Sequence, residues 1–572
     1  MAKKFLIGGL SVVLVVAVVI GVVATVTRSN QKSSGGDVVD TTSVAATSHD
    51  ITGICTGTDF QETCVKSLSK VLNGTTSPKD ALKASIGAVI DEFNVAFNRV
   101  RDIEKEIAGK YPGAVSDCEL LLSKSLVNLH AALTSSGHTD NLSSYANDID
   151  NWLSAVIASK GTCVDGFSGD QELQKNISQV FDYMTELTSN SLAILEEVTT
   201  LLDQLQNLPD IKIPNNTQRR LLFSEEEVYP AHPDGFPVWL SKADRRLLRQ
   251  RNGQVRPNMV VAQDGSGDYR TINDAVKNIP KRYRGRFVIY VKAGRYNERV
   301  VIEEWMTNVM VYGDGPRKTV IVNNAYKDDK RGSTTFNSAT FSALGNGFIA
   351  KDIAFSNTAG PENHQAVALT VTSDFSAFFR CRIDAYQDTL YAHSERQFYR
   401  NCVISGTVDF IFGDSKTVIQ NCLILVRKGS PGQKNMVTAQ GRDLRRQGTA
   451  MVIQNCRILP DKSLFPERLE IESYLGRPWK IHSRTIIMET TIGDLIRPEG
   501  WYPWDNTSPV KYVYYGEYNN RGPGASTNRR VRWPGVRVIS RREAVRFTVG
   551  NLLKGQAWLK FTGIPYIQTF KY

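Results

Sequence analysis

The sequence predicts a multidomain chain: a right-handed parallel β-helix, preceded by an all-α four-helix bundle and an N-terminal apolar helix of membrane-spanning length. Three observations carry this. The C-terminal half repeats itself at about 20 residues, with FFRC ending at Cys381, YRNC at Cys402, and VIQNC at both Cys422 and Cys456. Such a period, built from short β-rich runs, is the mark of a solenoid in which each repeat forms one coil. Residues 51–205 carry apolar positions at helical spacing. Phe5–Thr27 is 23 residues without a charge.

In chain order, Phe5–Thr27 follows Lys3 and Lys4 and is long enough to cross a bilayer. Residues 1–28 therefore read as an uncleaved signal anchor in preference to a cleaved signal peptide, and the chain is expected to enter the secretory pathway. Asn-x-Ser/Thr sequons at Asn73, Asn141, Asn176, Asn215 and Asn506 agree with that route. Residues 29–50, rich in Ser, Thr, Gly and Asp, read as a flexible stalk. Four amphipathic helical patterns over 51–205 predict an antiparallel bundle. Residues 206–250 contain five prolines and two copies of RRLL, at Arg219–Leu222 and Arg245–Leu248, and read as a processing linker. Residues 251–572 form the β-helix: runs such as RFVIYVKAG and VMVYGDG alternate with Gly/Asn turns, and strands recur every 20-odd residues.

The charge is split. Residues 1–240 carry 18 Lys and Arg against 29 Asp and Glu, a net −11; residues 241–572 carry 51 against 29, a net +22. The basic half suggests a polyanionic partner, and the acidic half is suited to cover it. No nucleic-acid motif is present, and an acidic polysaccharide fits the charge equally well. The eight cysteines divide four and four between the halves. An even count in a secreted chain favours disulfides. Cys55–Cys64 is expected to tie a short N-terminal hairpin, and Cys118–Cys163 to join two helices. Within the β-helix, Cys402–Cys422 is favoured, with Cys422–Cys456 as the alternative and unpaired core cysteines also open.

The same period organises the candidate chemistry. Gln365 to Gln387 is 22 residues and Asp388 to Asp409 is 21, so stacking would set the two carboxylates on neighbouring coils with amides beside them. Two such carboxylates titrate as a pair, one an anion and the other holding a proton. Arg477 is the candidate cation to keep Asp409 ionised. Gln365 and Gln387 can donate to an oxyanion. This set suits acyl transfer at an ester. A paired-carboxylate glycosidase remains nearly as good on spacing, and purely structural Asn/Gln/Asp ladders remain open. Isolated histidines argue against metal hydrolysis; no metal or cofactor is expected. The lack of a G-x-S-x-G elbow argues against a serine hydrolase.

GRYNE at 294–298, HQAVAL at 364–369, YQDTLY at 386–391, GTVDFIFG at 406–413 and YLGRPW at 474–479 together resemble the plant pectin methylesterase family, in the family's order. The bundle at 51–205 resembles the pectin methylesterase/invertase inhibitor domain. The resemblance implies that Asp409 is the nucleophile at the C6 methyl ester of galacturonate and that Asp388 protonates the leaving methanol and then activates water. It implies that Gln387 stabilises the oxyanion, Gln365 binds substrate and Arg477 orients Asp409. Trp479, Tyr391, Phe412 and Tyr474 would line the sugar cleft and Thr335 would touch substrate, whereas Tyr296 and Glu298 are expected to be structural. The implied partner is methyl-esterified homogalacturonan in the cell wall. The bundle is expected to dock on the basic half and limit activity until cleavage near RRLL.

Overall fold

The computed structural model describes residues 49–107, 109–137, 142–206, 256–505 and 507–571. The anchor at 5–27, residues 29–48 of the stalk, both RRLL motifs, Asn141, Asn215 and Asn506 lie outside the described residues, while His49–Asp50, expected as the end of the stalk, pair with Thr75–Thr76 as a short antiparallel strand. Among the described residues no helix is long and apolar enough to cross a membrane.

The N-terminal part is helical. Two short helices, α1 (Ile51–Cys55) and α2 (Gln61–Leu68), precede α3 (Pro78–Glu106), α4 (Pro112–Ser136), α5 (Leu142–Asp165), α6 (Gln171–Val180) and α7 (Asp182–Gln206). Their starts follow local rules. The Ser77 hydroxyl accepts the Asp80 N–H ahead of Pro78, and the Asp170 carboxylate accepts the Leu173 N–H. Ile86, Phe93, Leu122, Leu129, Leu153 and Phe181 lie among a continuous buried core. The Cys55–Cys64 and Cys118–Cys163 disulfides join α1 to α2 and α4 to α5.

Residues 259–538 wind into a parallel β-helix with three sheets of eleven, eight and seven strands. The coil period follows the sequence period. Leu390 pairs with Ile411, Arg396 with Lys416 and Val403 with Leu423, so neighbouring coils are offset by 20 or 21 residues. Parallel strands buried on both faces read as continuous apolar runs, as in Phe287–Val291. Each coil turns one corner through a left-handed residue: Asp352, Arg380, Asn401, Asn421, Asn455, Glu489 and Asn519 all have φ between 48° and 57°. Asn tolerates that conformation better than most residues. Its amides also form a ladder, Asn421 donating to Asn401 at 2.5 Å and Asn455 to Asn421 at 3.1 Å. A short helix, α8 (Ile272–Lys277), closes the N-terminal end. Both Glu298 carboxylate oxygens accept N–H groups from its first turn, Ile272 at 2.9 Å and Asn273 at 2.8 Å, and Tyr296 is buried beneath. These two motif residues are structural.

The predicted Cys402–Cys422 disulfide is not formed. Cys381, Cys402, Cys422 and Cys456 are all buried thiols, stacked one per coil directly after the left-handed corners. Each sulfur turns onto backbone instead: Cys402 Sγ onto the carbonyls of Phe378 and Arg400, Cys422 Sγ onto those of Tyr399 and Gln420. The Cys402 N–H donates to Cys422 Sγ at 3.2 Å. In-register parallel coils point these side chains the same way rather than at one another, and disulfide geometry asks for the opposite.

Candidate active site

The site forms where coils enter the seven-stranded sheet. Asp388 stands two residues before Leu390 and Asp409 two before Ile411, and Leu390 pairs with Ile411, so the two carboxylates hold the same place on adjacent coils. Adjacent strands lie about 4.8 Å apart. The Asp388 N–H donates to the Val408 carbonyl at 3.0 Å. Both aspartates are left-handed, at φ 62° and 51°. A non-glycine residue at positive φ costs on the order of 1 kcal/mol or more and persists where surroundings fix it. Here the corner lifts both carboxyls off the strand face.

Arg477 comes from two coils further on: Ile411 pairs with Thr438, Thr438 with Gly476, and Arg477 follows. A side chain at 476 would overlap Thr438, so glycine is required for that close approach. The guanidinium meets Asp409 in a two-point fork, Nε to Oδ1 at 2.8 Å and Nη2 to Oδ2 at 2.5 Å. Its other face lies 4.2 Å from the centroid of the Trp504 ring. Burial pushes Asp388 well above the ordinary carboxylate range and the charge of Asp409 adds to this, against weaker pulls from Arg477 and Lys327. Burial also raises Asp409, and the Arg477 fork opposes that rise. The two carboxyls are thus differentiated: burial and the neighbouring charge favour the neutral form of Asp388, and the Arg477 fork favours the charged form of Asp409.

Gln365 and Gln387 are bridged as parallel partners, half-buried at the same edge. The Gln365 carbonyl accepts the Lys327 N–H at 2.8 Å. Tyr391 and Phe412 stack at 4.1 Å between ring centroids, and Trp479 stands edge-on to both at 6.2 and 5.9 Å. Tyr474 sits apart from this cluster, against Tyr502 at 4.9 Å and hydrogen-bonded to Glu472. Thr335 begins the short turn Phe336–Ser338, next to Thr334. Phe336, Lys327 and Trp504 belong to the same region and carried no motif of their own.

The helical part lies across this site. Leu121 of α4 is buried in one cluster with Phe336, Leu344, Val367, Tyr391 and Phe412. The Thr162 hydroxyl of α5 bonds the Tyr391 hydroxyl at 2.7 Å and His393 Nε2 at 2.9 Å. The Thr334 hydroxyl donates to Asp117 of α4. Gly113 permits the approach, since a Cβ there would overlap the Gly332 carbonyl. With α4 and α5 in place Asp388 is 7% and Asp409 4% exposed.

A family model described as Pectinesterase matches residues 258–556, more than half of the chain. The chain belongs to the pectinesterase family. This pectinesterase also carries residues 49–194 matching the Plant invertase/pectin methylesterase inhibitor family. It is 43% identical to the "Putative pectinesterase/pectinesterase inhibitor 45" of Arabidopsis thaliana over 519 residues, covering 90% of this chain and 83% of that relative. It is 41% identical to "Pectinesterase 1" of Citrus sinensis over 524 residues, covering 90% and 87%. Among solved structures, a pectin methylesterase from carrot is 52% identical with a TM-score of 0.54, covering 55% of this chain and 99% of the carrot chain. The matched part of this chain thus accounts for nearly the whole of the solved carrot chain. Pectinesterases are carboxylic ester hydrolases, and the differentiated aspartate pair is compatible with that chemistry.

Proposed function

We propose that the chain hydrolyses the methyl esters of pectin, releasing methanol and polygalacturonate, with Asp409 as nucleophile and Asp388 as general acid and then base. The observation that carries this is the two-point Arg477–Asp409 pair beside Asp388, whose neutral form burial and the Asp409 charge favour. Asp409 Oδ attacks the ester carbonyl carbon. The carbonyl oxygen takes up the negative charge, stabilised by the Gln387 amide with Gln365 assisting. As the tetrahedral centre collapses, the C–O bond to the methoxy group breaks and Asp388 gives its proton to the departing methoxide oxygen, forming methanol. Asp388, now an anion, takes a proton from water; the hydroxide cleaves the acyl-enzyme, and Asp409 leaves as the carboxylate that Arg477 favours. Trp479, Tyr391 and Phe412 offer a stacking wall for the sugar rings, with Thr335 and Tyr474 at its margins.

The four long helices α3, α4, α5 and α7 act in this reading as an inhibitory bundle. Leu121 fills the aromatic wall and Thr162 occupies the Tyr391 hydroxyl, so pectin and bundle compete for one groove. The domain limits are 51–205 for the bundle and 251–572 for the enzyme, with release by cleavage in 206–250 and action in the cell wall. Asn73 and Asn176, both exposed, are the described glycosylation candidates.

The test measures methanol and new reducing ends from esterified pectin, with residues 256–572 and with the full chain. Methanol without reducing ends, faster from the shorter protein, is expected. New reducing ends without methanol would overturn the esterase reading.

A further inference from the structure

Six of the seven ion pairs between the two parts among the described residues run one way, and the reverse pair is Lys160 with Asp443 at 3.8 Å. Asp148 pairs with Arg396, Asp150 with Lys416 at 2.6 Å, Asp59 with Arg445 at 3.1 Å, Glu196 with Arg446, and Asp165 with Lys480 at 3.0 Å. In each of these the helical part gives the carboxylate and the β-helix the cation. The five cations form a row. Arg396 and Lys416 are register partners on neighbouring strands. Arg445 and Arg446 precede Ala450, the partner of Lys416 on the next coil. Lys480 precedes Arg484–Met488, on the coil after that. The row therefore climbs four coils, about 15 Å at the spacing of parallel strands. It lies beside the wall of Tyr391, Phe412 and Trp479; Lys480 itself rests over the Trp479 ring, 5.3 Å from its centroid.

Two of these cations depend on the helical part for their partners. Lys416 is almost fully buried, and its polar partners among the described residues are Asp150, the Asn147 side chain at 2.8 Å and the Asn147 carbonyl. Arg446 is held by Glu196, Asp59 and the Gly57 carbonyl at 2.8 Å. Arg396 differs, since Asp374 of its own domain also holds it at 2.6 Å. Glu395, next to Arg396, is met by the neutral amides of Asn128 and Asn151 rather than by a carboxylate. The helical part thus sets carboxylates against most of the bases, amides against Glu395, and Lys160 against Asp443. When α4, α5 and α7 leave, Lys416 and Arg446 lose these partners beside the groove, and an anionic polymer is the occupant that restores them.

We propose that Lys416, Arg445, Arg446 and Lys480, with Arg396 at the end of the row, form a binding site for runs of non-esterified galacturonate, and that the five carboxylates of the helical part imitate those runs. A methyl ester is uncharged and gains nothing from this row, whereas a free uronate supplies one carboxylate per sugar. The site thus distinguishes polymer already stripped of its esters from polymer still carrying them. This rests on the pectinesterase reading for the nature of the polymer, though not for the chemistry at Asp409.

The experiment titrates residues 256–572 with ester-free polygalacturonate and, separately, with fully methyl-esterified pectin, at low and at high salt. That part has its own core and matches 99% of the solved carrot chain. Lys416→Gln with Arg446→Gln is expected to weaken polygalacturonate binding about tenfold and to flatten its salt dependence, with less than about a twofold effect on esterified pectin. Lys416→Arg should retain the affinity, and Arg446→Gln alone, at a surface position, should show part of the loss. The full chain should bind polygalacturonate at least about tenfold more weakly than residues 256–572, because its own carboxylates fill the row. Equal losses for both polymers, no loss for polygalacturonate, or equal binding by the full chain and the shorter protein would each overturn the proposal. Absence of methanol release with charge-dependent polygalacturonate binding intact would remove the esterase reading and leave the site standing.

Discussion

Asp388 and Asp409 occupy equivalent backbone positions one coil apart, yet their surroundings pull them in different directions. Only Asp409 meets a guanidinium fork. Asp388 has burial and a neighbouring charge acting on it, both of which favour its neutral form. Asp388→Asn is expected to cut methanol release on the order of a hundredfold or more, the usual scale for a lost general acid, with the melting temperature retained. Arg477→Lys is a sharper probe, because an ammonium cannot reproduce the two-point contact. Arg477 lowers the Asp409 pKa, so weakening the contact raises it. The proposed mechanism needs the Asp409 anion, so the acid limb of the pH–rate profile is predicted to move to higher pH in Arg477→Lys. An unmoved limb would mean that Arg477 does not set the charge of Asp409. This part of the site was legible in the sequence because a period near 21 residues fixes which side chains stack. Arg477 required more: it arrives from two coils away, and the need for a cation beside a buried Asp409, rather than the period, pointed to it. Lys327 and Trp504 had no such pointer, being single residues in loops whose path is set by the fold.

At the scale of elements, α4 and α5 cover the site. Their contact face consists of Asp117, Lys124 and Asn128 on α4, and Asp148, Asn151 and Thr162 on α5, at helical spacing and all buried. Helical periodicity alone assigns such polar positions to solvent, which is why this face was not legible although the helices were. Lys124 shows the physical reason: its ammonium is satisfied by the Leu344 carbonyl at 3.0 Å and by the carbonyl and hydroxyl of Thr372, so the polar side finds acceptors across the contact. The cysteine ladder failed differently, since spacing puts the residues adjacent but says nothing about which way the sulfurs turn. Gly113→Val is predicted to lift α4 from Gly332 and to raise full-chain methanol release, by about tenfold for each 1.4 kcal/mol of docking lost. Unchanged release would show that the groove is open regardless of α4.

The same contact predicts a pH dependence. Burial raises Asp117 from 3.8 to about 7, opposed by the Thr334 hydroxyl and Arg299. Burial, with the nearby Asp374 charge, raises Glu395 from 4.5 to about 7, opposed by Lys124, Asn128 and Arg396. Where docking buries these acids it takes up protons. That contribution is full below the ordinary carboxylate range and is lost as pH rises through about 7. The activity of the full chain relative to residues 256–572 should therefore climb between about pH 4.5 and 7.5. Asp117→Asn with Glu395→Gln should flatten the climb; a ratio already flat in the parent would contradict it.

Across the whole molecule, a net −11 in residues 1–240 faces a net +22 in residues 241–572, and the interface resolves that imbalance into individual ion pairs. Long-range attraction of this kind weakens with salt. Cleaved full-length protein is expected to stay inhibited at low salt and to gain activity as salt rises, while residues 256–572 alone lose affinity for polygalacturonate over the same range. Parallel salt responses in the two would speak against an electrostatic clamp. The fold itself supplies the platform: a coil repeat that stacks Asp388 and Asp409 on adjacent coils and sets Arg396 beside Lys416.

The most direct measurement is methanol release from esterified pectin by residues 256–572 carrying Asp409→Asn, alongside a melting curve. Loss of the nucleophile is predicted to reduce turnover at least about a thousandfold with the melting temperature within a few degrees of the parent. Turnover within about tenfold of the parent, from a protein equally well folded, would contradict nucleophilic catalysis by Asp409.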